Sequence, residues 1–349
     1  MRLFLIITVM FFNSVTKETF SQVRADDHAP ISIMGDHYHE AGEFMISYRY
    51  MPMTMKESQL GTSKISSDLI ASTIPNRFSS MEGQPPTLRI VPTEMTMNMH
   101  MLGAMFAPTD WLTLMVMINK LENEMSHLTY KGMMGTTVRG SFTTQTSGIG
   151  DTKLSSLIRV RETQSDRLHI TAGISLPTGE LDQTATILNP MGMNPTIRAP
   201  YGMQLGSGTT DVIGGLTYSR FYDSWSWGGQ WLSTIRTDTN DEGYTLGDEH
   251  RINGWYSRSF ASNFSWSTRL EYFDRAKIQG MDSNIMGPVQ TADPDNYGAK
   301  IISIGLGLNF AMENGHRIGL EYLVPIHQDL EGPQLKLENQ MTLGYQFSF

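Results

Sequence analysis

The 349-residue chain contains no cysteine, which excludes a disulfide framework, cysteine-ligated zinc and a catalytic thiol. Beyond the N-terminus it also lacks any run approaching the roughly 20 apolar residues of a membrane-spanning helix. Its 26 basic residues are scattered and are outnumbered by 35 acidic ones, so we expect no nucleic-acid partner. The motifs G-x-S-x-G and H-E-x-x-H are missing as well. We therefore expect no catalytic residues and a protein that is not an enzyme.

The N-terminus has the features of a secretory signal. A basic Met1-Arg2 precedes the apolar residues 3–12, and a polar stretch ends in Val23-Arg24-Ala25. This order of a basic start, a short apolar core and small residues predicts a signal peptide over 1–25. We predict that a periplasmic His-rich leader follows over 26–42, and that 43–349 form the main domain.

The C-terminal segment alternates strictly between apolar and polar residues. From residue 338 the chain reads E-N-Q-M-T-L-G-Y-Q-F-S-F, which predicts a strand with one apolar and one polar side. A strand that ends on an aromatic residue resembles the C-terminal signature of bacterial outer-membrane barrels. That resemblance implies that the barrel assembly machinery is a partner and recognises the strand ending at Phe349.

The same alternation recurs upstream in about twelve segments, each with the length that a tilted membrane strand needs. The predicted strands cover 43–53, 94–106, 111–122, 151–162, 166–177, 210–222, 225–236, 248–260, 263–274, 300–311, 315–326 and 338–349. Short connections alternate with long ones, which include 54–93, 123–150 and 327–337. Short periplasmic turns and long extracellular loops are typical of outer-membrane proteins. The sequence therefore predicts an all-β fold, an antiparallel transmembrane β-barrel in contact with the lipids of the outer membrane of a double-membraned bacterium.

Several charged residues fall on the polar face of these strands, where contact with lipid would be costly. We expect them to line a wet lumen, and they are Arg49, Arg159, Arg161, Arg236, Arg269, Glu271, Arg317 and Glu321. A barrel of about twelve strands is wide enough for a narrow channel or for a plugged pore.

The predicted leader concentrates residues that bind metals. Imidazole and carboxylate suit Cu(II), Zn or Ni, and thioether suits Cu(I). The candidate ligands are His28, Met34, Asp36, His37, His39 and Glu40. The alternative interpretation is a flexible polar leader, or a plug with hydrogen bonds of its own. No cofactor is certain, and copper and zinc are the candidate ions.

Methionine is unusually frequent, at 25 residues, and several methionines repeat with period two. One set is Met51, Met53 and Met55, another is Met95, Met97, Met99 and Met101, and a third is Met115 and Met117. We expect lipid-facing or packing side chains, since methionine is apolar and adaptable. The alternative is a ladder of soft ligands, mostly for copper.

Some stretches resemble a family of bacterial outer-membrane β-barrel transporters, related to the phenol-degradation meta-pathway barrel proteins. The likeness runs over nearly all of the chain after the signal, and its clearest stretches are 34–45 (MGDHYHEAGEFM), 148–152 (GIGDT), 175–179 (SLPTG), 204–208 (QLGSG) and 291–296 (TADPDN). The resemblance implies a channel or transport role and supplies no catalytic residues.

The sequence thus favours a barrel through which a small solute passes passively. One alternative is a metal-handling barrel that captures copper with the leader and the methionine ladders. A second is an outer-membrane phospholipase, although His100 and His169 lie in no recognisable phospholipase motif. A third is a structural or adhesion barrel whose long loops meet a partner.

Overall fold

A computed structural model of the protein describes residues 24–349. The predicted signal peptide falls almost wholly on residues 1–23, outside the described residues. The strands are β1 (Phe44–Gly61), β2 (Ser63–Lys64), β3 (Ile90–Thr109), β4 (Leu112–Tyr130), β5 (Val138–Ile149), β6 (Thr152–Glu162), β7 (Asp166–Leu176), β8 (Thr184–Thr186), β9 (Thr196–Arg198), β10 (Asp211–Phe221), β11 (Trp225–Ile235), β12 (Tyr244–Thr245), β13 (Glu249–Ser259), β14 (Phe264–Arg275), β15 (Gln279–Gly280), β16 (Ala299–Ala311) and β17 (His316–Ser348). One α-helix, α1 (Ser67–Thr73), and 3₁₀ turns at Tyr201–Met203, Gln290–Ala292 and Pro294–Tyr297 complete the elements.

The main sheet closes on itself as an antiparallel barrel. It has 13 strands, and all of them except β2 and β5 lie in the ring that the pairing of β17 with β1 closes. Strands β5 and β6 pair with successive parts of β4 and run in line with one another. Closure leaves no free edge within the ring, which removes the unpaired backbone groups of an open sheet.

The last strand, β17, doubles back at Glu331–Gly332, where Gly332 has a φ of 72°. Its first arm pairs with β16, and its second arm pairs with β1. The fold-back brings His316 against Phe347, with 4.3 Å between the ring centroids. Counting both arms gives twelve passes, in line with the number that the sequence predicts.

The short connections lie at one end of the barrel, as expected, at 110–111, 163–165, 222–224, 260–263 and 312–315. The opposite end differs from the prediction in three places. The ends of the predicted loop 54–93 belong to β1 and β3. Most of the predicted loop 123–150 belongs to β4 and β5, and all of 327–337 lies within β17. The outward side of these upper strand ends is largely polar, as at Glu124 and Ser126, so the alternation that reveals a strand with an apolar outer side is lost there.

The alternating pattern sorts side chains between the outside and the inside of the barrel. On β16, Leu306 is 63% exposed, whereas Ser303 is 1% exposed. The same contrast separates Tyr48 from Arg49 on β1. Apolar side chains therefore cover the outer face, and polar and charged ones fill the interior.

The long loops at the open end pack together into a small core of their own. This outer cap is formed by Phe78, Ile90, Tyr201, Tyr244, Ile278, Ile285, Val289 and Ala292. Within residues 24–349, no helix is both long and apolar enough to cross a membrane.

Candidate functional site in the barrel lumen

The segment predicted as a leader lies inside the barrel, at the end with the short connections. We call residues 24–42 the plug. Much of the plug is buried, and its Ala25 and Ile31 side chains are each only 1% exposed. Ala29 and Ile33 pack against Trp255 of β13. The plug therefore fills the lower lumen and contacts strands on opposite sides of the wall.

Side chains of the wall hold the plug mainly through its backbone carbonyl groups. Buried carbonyls need donors, because little water reaches them. The donors and acceptors are Ser265 to Ala25 (2.7 Å), Ser226 to Asp26 (2.7 Å), Arg317 to Ala29 (2.7 Å), Arg49 to Ile31 (2.8 Å), Gln230 to Met34 (2.9 Å) and His169 to Gly35 (2.8 Å). These bonds do not depend on plug side chains, so the wall recognises the path of the plug backbone.

Two glycines on the inner face of β17 make room for Ile31. A Cβ atom at Gly319 would lie 2.6 Å from the Cβ of Ile31. At Gly344 it would lie 2.8 Å from the Cδ1 of Ile31 and even closer to its Cγ1. Any larger residue at Gly344 would displace the Ile31 side chain, so these positions form the seat of the plug.

A network of ion pairs closes the other side of the lower lumen. Arg269 donates to Glu321 at 2.7 Å and to Glu271 at 2.8 Å, and all three side chains are buried. Glu321 also accepts hydrogen bonds from the backbone and the hydroxyl of Ser32 in the plug. The buried charges are therefore paired, as their burial requires, and one of them binds the plug.

Most of the predicted lumen residues lie inside, and one does not. Arg49 and Arg317 bind the plug as described, and Arg159 lies at the mouth over the ring of Tyr38, 4.5 Å from its centroid. Arg236 lies near the opposite end, paired with Asp211. Arg161 is exposed and pairs with Leu168 of the outer face. The expectation for Arg161 is wrong, because an irregularity between Arg159 and Arg161 reverses the alternation.

The methionines of the three adjacent strands β1, β3 and β4 face the lumen. The expectation of lipid-facing or packing side chains is therefore wrong for lipid, whereas several of these methionines do pack in buried clusters. Directly paired residues share one face of an antiparallel sheet, and Met51 pairs with Met99 as Met53 pairs with Met97. The methionine wall comprises Met45, Met51, Met53, Met55, Met95, Met97, Met99, Met101, Met105, Met115, Met117 and Met125. All of these methionines have odd residue numbers, as do the buried Ser47 and Arg49 of β1, which face the lumen.

A central cavity of about 220 Å³ lies directly above the plug. Thioethers form one side, with Met51, Met99 and Met117 among its lining residues, and Met34 of the plug joins them. The Arg269–Glu271 pair lies on the other side. The cavity is therefore apolar on one wall and charged on the opposite wall.

The loop between β7 and β10 turns inward and closes the cavity from above. Met203 is buried against Met95 and Met125, at the top of the methionine wall. Its backbone carbonyl accepts a hydrogen bond from Thr146 at 2.7 Å. The lumen is thus narrowed twice, by this loop above and by the plug below.

Three of the stretches that carry the family resemblance meet at the base of this loop. Asp151 accepts hydrogen bonds from the backbone of Gly179 (3.1 Å) and Ser207 (2.8 Å). Thr178 donates to the carbonyl of Gly150 at 2.7 Å. A Cβ at Gly179 would lie 2.6 Å from the Cα of Gly206. These sequence elements therefore build the joint that directs the loop into the lumen.

Three of the predicted metal ligands converge in the plug. The Nδ1 atoms of His28 and His37 lie 3.2 Å apart, and the Nδ1 of His37 lies 2.8 Å from the Oδ1 of Asp36. The Nδ1 of His28 lies 3.6 Å from Asp36 Oδ2. The backbone of Ala29 donates to the same carboxylate at 2.9 Å and fixes its orientation. The structure therefore places donor atoms of three residues around one point.

The charge state of this cluster suits metal binding. Burial, together with the nearby charge of Arg317, lowers the pKa of His28 to about 3. Burial alone would raise the pKa of Asp36, but the adjacent His37 and His28 hold it well below its ordinary value. At neutral pH the set thus offers an uncharged His28 imidazole and a carboxylate, the forms that bind metal ions.

The other predicted ligands lie elsewhere. Met34 lines the central cavity, and Glu40 is exposed. His39 is buried and its Nδ1 bonds to Glu43 at 3.1 Å, although its ring centroid lies 5.0 Å from that of His37. Burial lowers the pKa of His39 despite this hydrogen bond. The geometry therefore selects His28, Asp36 and His37 from the six candidates.

Comparison with known proteins adds evidence on the fold. No protein-family model and no curated protein matches the sequence. Among solved structures, the chain is similar to the COG4313 outer membrane channel from Pseudomonas putida F1, with 16% identity, 91% of this chain and 99% of that chain covered, and a TM-score of 0.58. The Ralstonia pickettii toluene transporter TbuX matches at 12% identity over 89% of this chain and 90% of that one, with a TM-score of 0.42. The first likeness shows that the chain shares the closed barrel fold of an outer membrane channel, and the relation to phenol-degradation barrels stays a prediction.

The residues that the sequence reasoning missed are mostly small or uncharged. The seat glycines, Gly319 and Gly344, and donors such as Gln230, Ser226 and Ser265 all lie on the polar face of predicted strands. The sequence feature that could have indicated the seat is a glycine at an inward position on each of the two arms of β17. Nothing in the sequence pattern pointed to the plug carbonyls as their partners.

Proposed function

We propose that the protein is an outer-membrane channel through which a small, largely apolar solute passes without energy input. The observation that carries this proposal is the central cavity, which a closed barrel surrounds and which the methionine wall lines on one side. The transport is passive in this proposal, since the sequence contains no nucleotide-binding motif and passive passage requires no catalytic residue.

The outer face of the barrel supports a place in a membrane. Exposed apolar side chains repeat on successive strands, as at Leu216, Ile252, Leu270, Leu306 and Leu320. A continuous apolar outer surface of this kind would aggregate in water and is stable in lipid. Apart from Arg161, the charged side chains predicted for the lumen lie inside the barrel or at its mouth, away from lipid. The second arm of β17, ending beside Phe349, is the segment that we propose the barrel assembly machinery binds.

The lining of the lumen supports an apolar solute rather than a sugar or an ion. Barrels that conduct polar solutes present polar side chains to the channel, whereas here three neighbouring strands present thioethers. Thioethers are polarizable, flexible and apolar, so they can adapt to solutes of different shape. The inward loop and the plug narrow the lumen on either side of this wall, and an apolar solute that contacts the thioethers removes apolar surface from water.

A soft metal cation is the second candidate, because the methionines face the lumen and not the lipid. Thioethers are ligands for Cu(I), and Met51 pairs directly with Met99. On this alternative the methionine wall would conduct or hold the cation. Binding of Ag(I), which is a stable substitute for Cu(I), would separate the two candidates.

The proposal is tested in three steps on the full-length protein. Cell fractionation should recover it in the outer membrane, and its gel mobility should change on heating, as for a stable barrel. Liposomes containing the protein should then admit a small apolar or weakly polar solute faster than a sugar of similar size. Recovery as a soluble protein, or equal rates for the two solutes, would refute the proposal.

The soft-cation candidate predicts a different result with the same liposomes. Saturable uptake of Ag(I) that falls in a Met51→Leu, Met99→Leu double variant would support it. Leucine preserves the apolar lining but removes the sulfur, so passage of the apolar solute should survive this substitution. Loss of solute passage without any Ag(I) uptake would instead assign the thioethers to the solute.

A further inference from the structure

The metal-ligand cluster in the plug has the spacing of a coordination site. Two donors bound to zinc at 2.0–2.1 Å in tetrahedral geometry lie about 3.3 Å apart. The Nδ1 atoms of His28 and His37 lie 3.2 Å apart, and they lie 3.6 Å from Oδ2 and 2.8 Å from Oδ1 of Asp36, respectively. One donor atom of each residue lies within 4.8 Å of the other two. The three side chains therefore surround a common point, and an ion bound there would draw them to the spacing of zinc ligands.

The surroundings of the cluster also favour an ion. Asp36 is held by the backbone of Ala29, which is the kind of outer-shell support that bound carboxylates have. The polar contacts of the His37 ring among the described residues are all made by its Nδ1 atom, which faces Asp36 and His28.

An ion can reach the cluster from the periplasmic mouth. A cavity of about 540 Å³ opens there, and His28 and His37 line it together with Glu43 and Glu162. Four arginines line the same cavity, Arg24, Arg159, Arg167 and Arg317. The first three are paired with carboxylates, those of Asp26, Glu162 and Asp27. The side chain of His28 remains 24% exposed, which leaves space for water or a further ligand at the fourth position.

We propose that His28, Asp36 and His37 bind one divalent transition-metal ion, of which zinc is the representative. The two imidazoles and the carboxylate are donors of the borderline type that such ions prefer. The ion would be structural in this proposal, and the site is separate from the methionine wall and from the solute cavity.

The position of the site gives the ion a mechanical role. His28 precedes the deepest part of the plug, and Asp36 and His37 follow it. An ion bound to all three joins the two ends of the loop formed by residues 29–35, which carries Ile31 to its seat. Closing a loop removes conformational freedom from the undocked state. Metal binding should therefore hold the plug in its docked shape.

Calorimetry on the full-length protein in detergent, stripped of metal with a chelator, tests the site with Zn²⁺ as the probe. We expect one ion per barrel. His37→Gln and Asp36→Asn should each weaken binding by more than about tenfold, the loss that removal of an outer-shell partner can already cause. The matched control is His327→Gln, an exposed histidine distant from the plug. Equal affinity in all four proteins, or an equal loss in the control, would overturn the proposal.

A second measurement separates a lost ligand from a lost fold and tests the mechanical role. Heat-dependent gel mobility shows whether each variant still forms the barrel, and His28→Gln, at a partly exposed position, provides a third ligand variant. Hydrogen exchange of residues 24–42 should slow when Zn²⁺ is added to the wild type and should not change in His37→Gln. Binding that depends on these residues but leaves exchange unchanged would refute the role of the ion in holding the plug.

Discussion

Ile31→Ala tests whether the plug closes the channel. The substitution removes about three methylene equivalents from a fully buried side chain, worth about 2.4 kcal/mol at roughly 0.8 kcal/mol each. A residual cavity adds to this, and measured Ile→Ala changes reach about 2–5 kcal/mol. Since 1.4 kcal/mol corresponds to a factor of ten, undocking should become at least about fiftyfold more frequent.

Single-channel recording in planar bilayers measures this change as the fraction of time that the pore is open. Ile326→Ala is the control, because Ile326 is 59% exposed on the barrel exterior and its truncation should leave the recordings unchanged. An open fraction that stays the same in a correctly folded Ile31→Ala protein would refute the reasoning that the plug limits conduction.

A double-mutant cycle with Gly344→Ala adds a sharper test. Gly344→Ala alone should displace the plug, because its new Cβ would collide with Cγ1 and Cδ1 of Ile31. Ile31→Ala removes both of those atoms, so the two substitutions together should disturb the plug less than the sum of their separate effects. Strict additivity would show that Gly344 is not the seat of Ile31.

The remaining predictions concern the outer face, the methionine wall and the cap. Leu306→Arg should destabilise the protein by about 2–4 kcal/mol near the bilayer midplane, whereas Thr136→Arg, at an exposed position between β4 and β5, should not, as unfolding in a lipid system would measure. Met99→Glu should slow passage of an apolar solute about tenfold or more, because it places an unpaired charge in a confined space, while Met134→Glu in an exposed loop should leave liposome uptake unchanged. Lys277 and Arg77 hold the pKa of Asp295 below its ordinary 3.8. Their contribution to the cap is therefore present above that pH and lost as the pH falls further, and hydrogen exchange of 276–298 should rise on acidification in the wild type but not in Asp295→Asn.

Much of the barrel could be predicted because lipid and lumen impose a period of two on the chain. The bounds of β7, β10, β11, β13 and β14 lie within about two residues of the predicted segments. The pattern ends where the outer face leaves the apolar environment, so the upper parts of β1 and β3 were predicted as loop. In these upper parts the backbone hydrogen bonds of the sheet continue, but the side chains no longer alternate between apolar and polar.

The inward orientation of the methionines follows from their odd position numbers along each strand. Met51 and Met53 share odd numbering with Arg49, whereas Ile46 and Tyr48 mark the even, lipid-facing side of the same strand. Methionine is apolar, and the general preference of apolar residues for lipid outweighed the local register. Arg161 fails for the opposite reason, since a single irregularity in pairing changes the parity without any change in composition.

The sequence predicts that the plug contains potential metal ligands, but it does not predict which of them come together. Six potential ligands lie within thirteen residues, and in an extended chain His37 and His39 would share a side, because alternate residues do so. The plug is not extended there: it bends at Gly35, which has a φ of 61°, and returns His37 to His28. That turn depends on the surrounding wall, which no local pattern contains.

The place where the plug is held bears on the order of assembly. Arg49 on β1 and Gly344 on β17 are direct partners across the line where the barrel closes, and both contact Ile31. Shifting one strand by a single residue reverses the face of every side chain. Such a slip would turn Gly344 outward and move a bulky neighbour into the space of Ile31. A plug already in place therefore gives the first and last strands a common template, and only the correct alignment of the two can close around it.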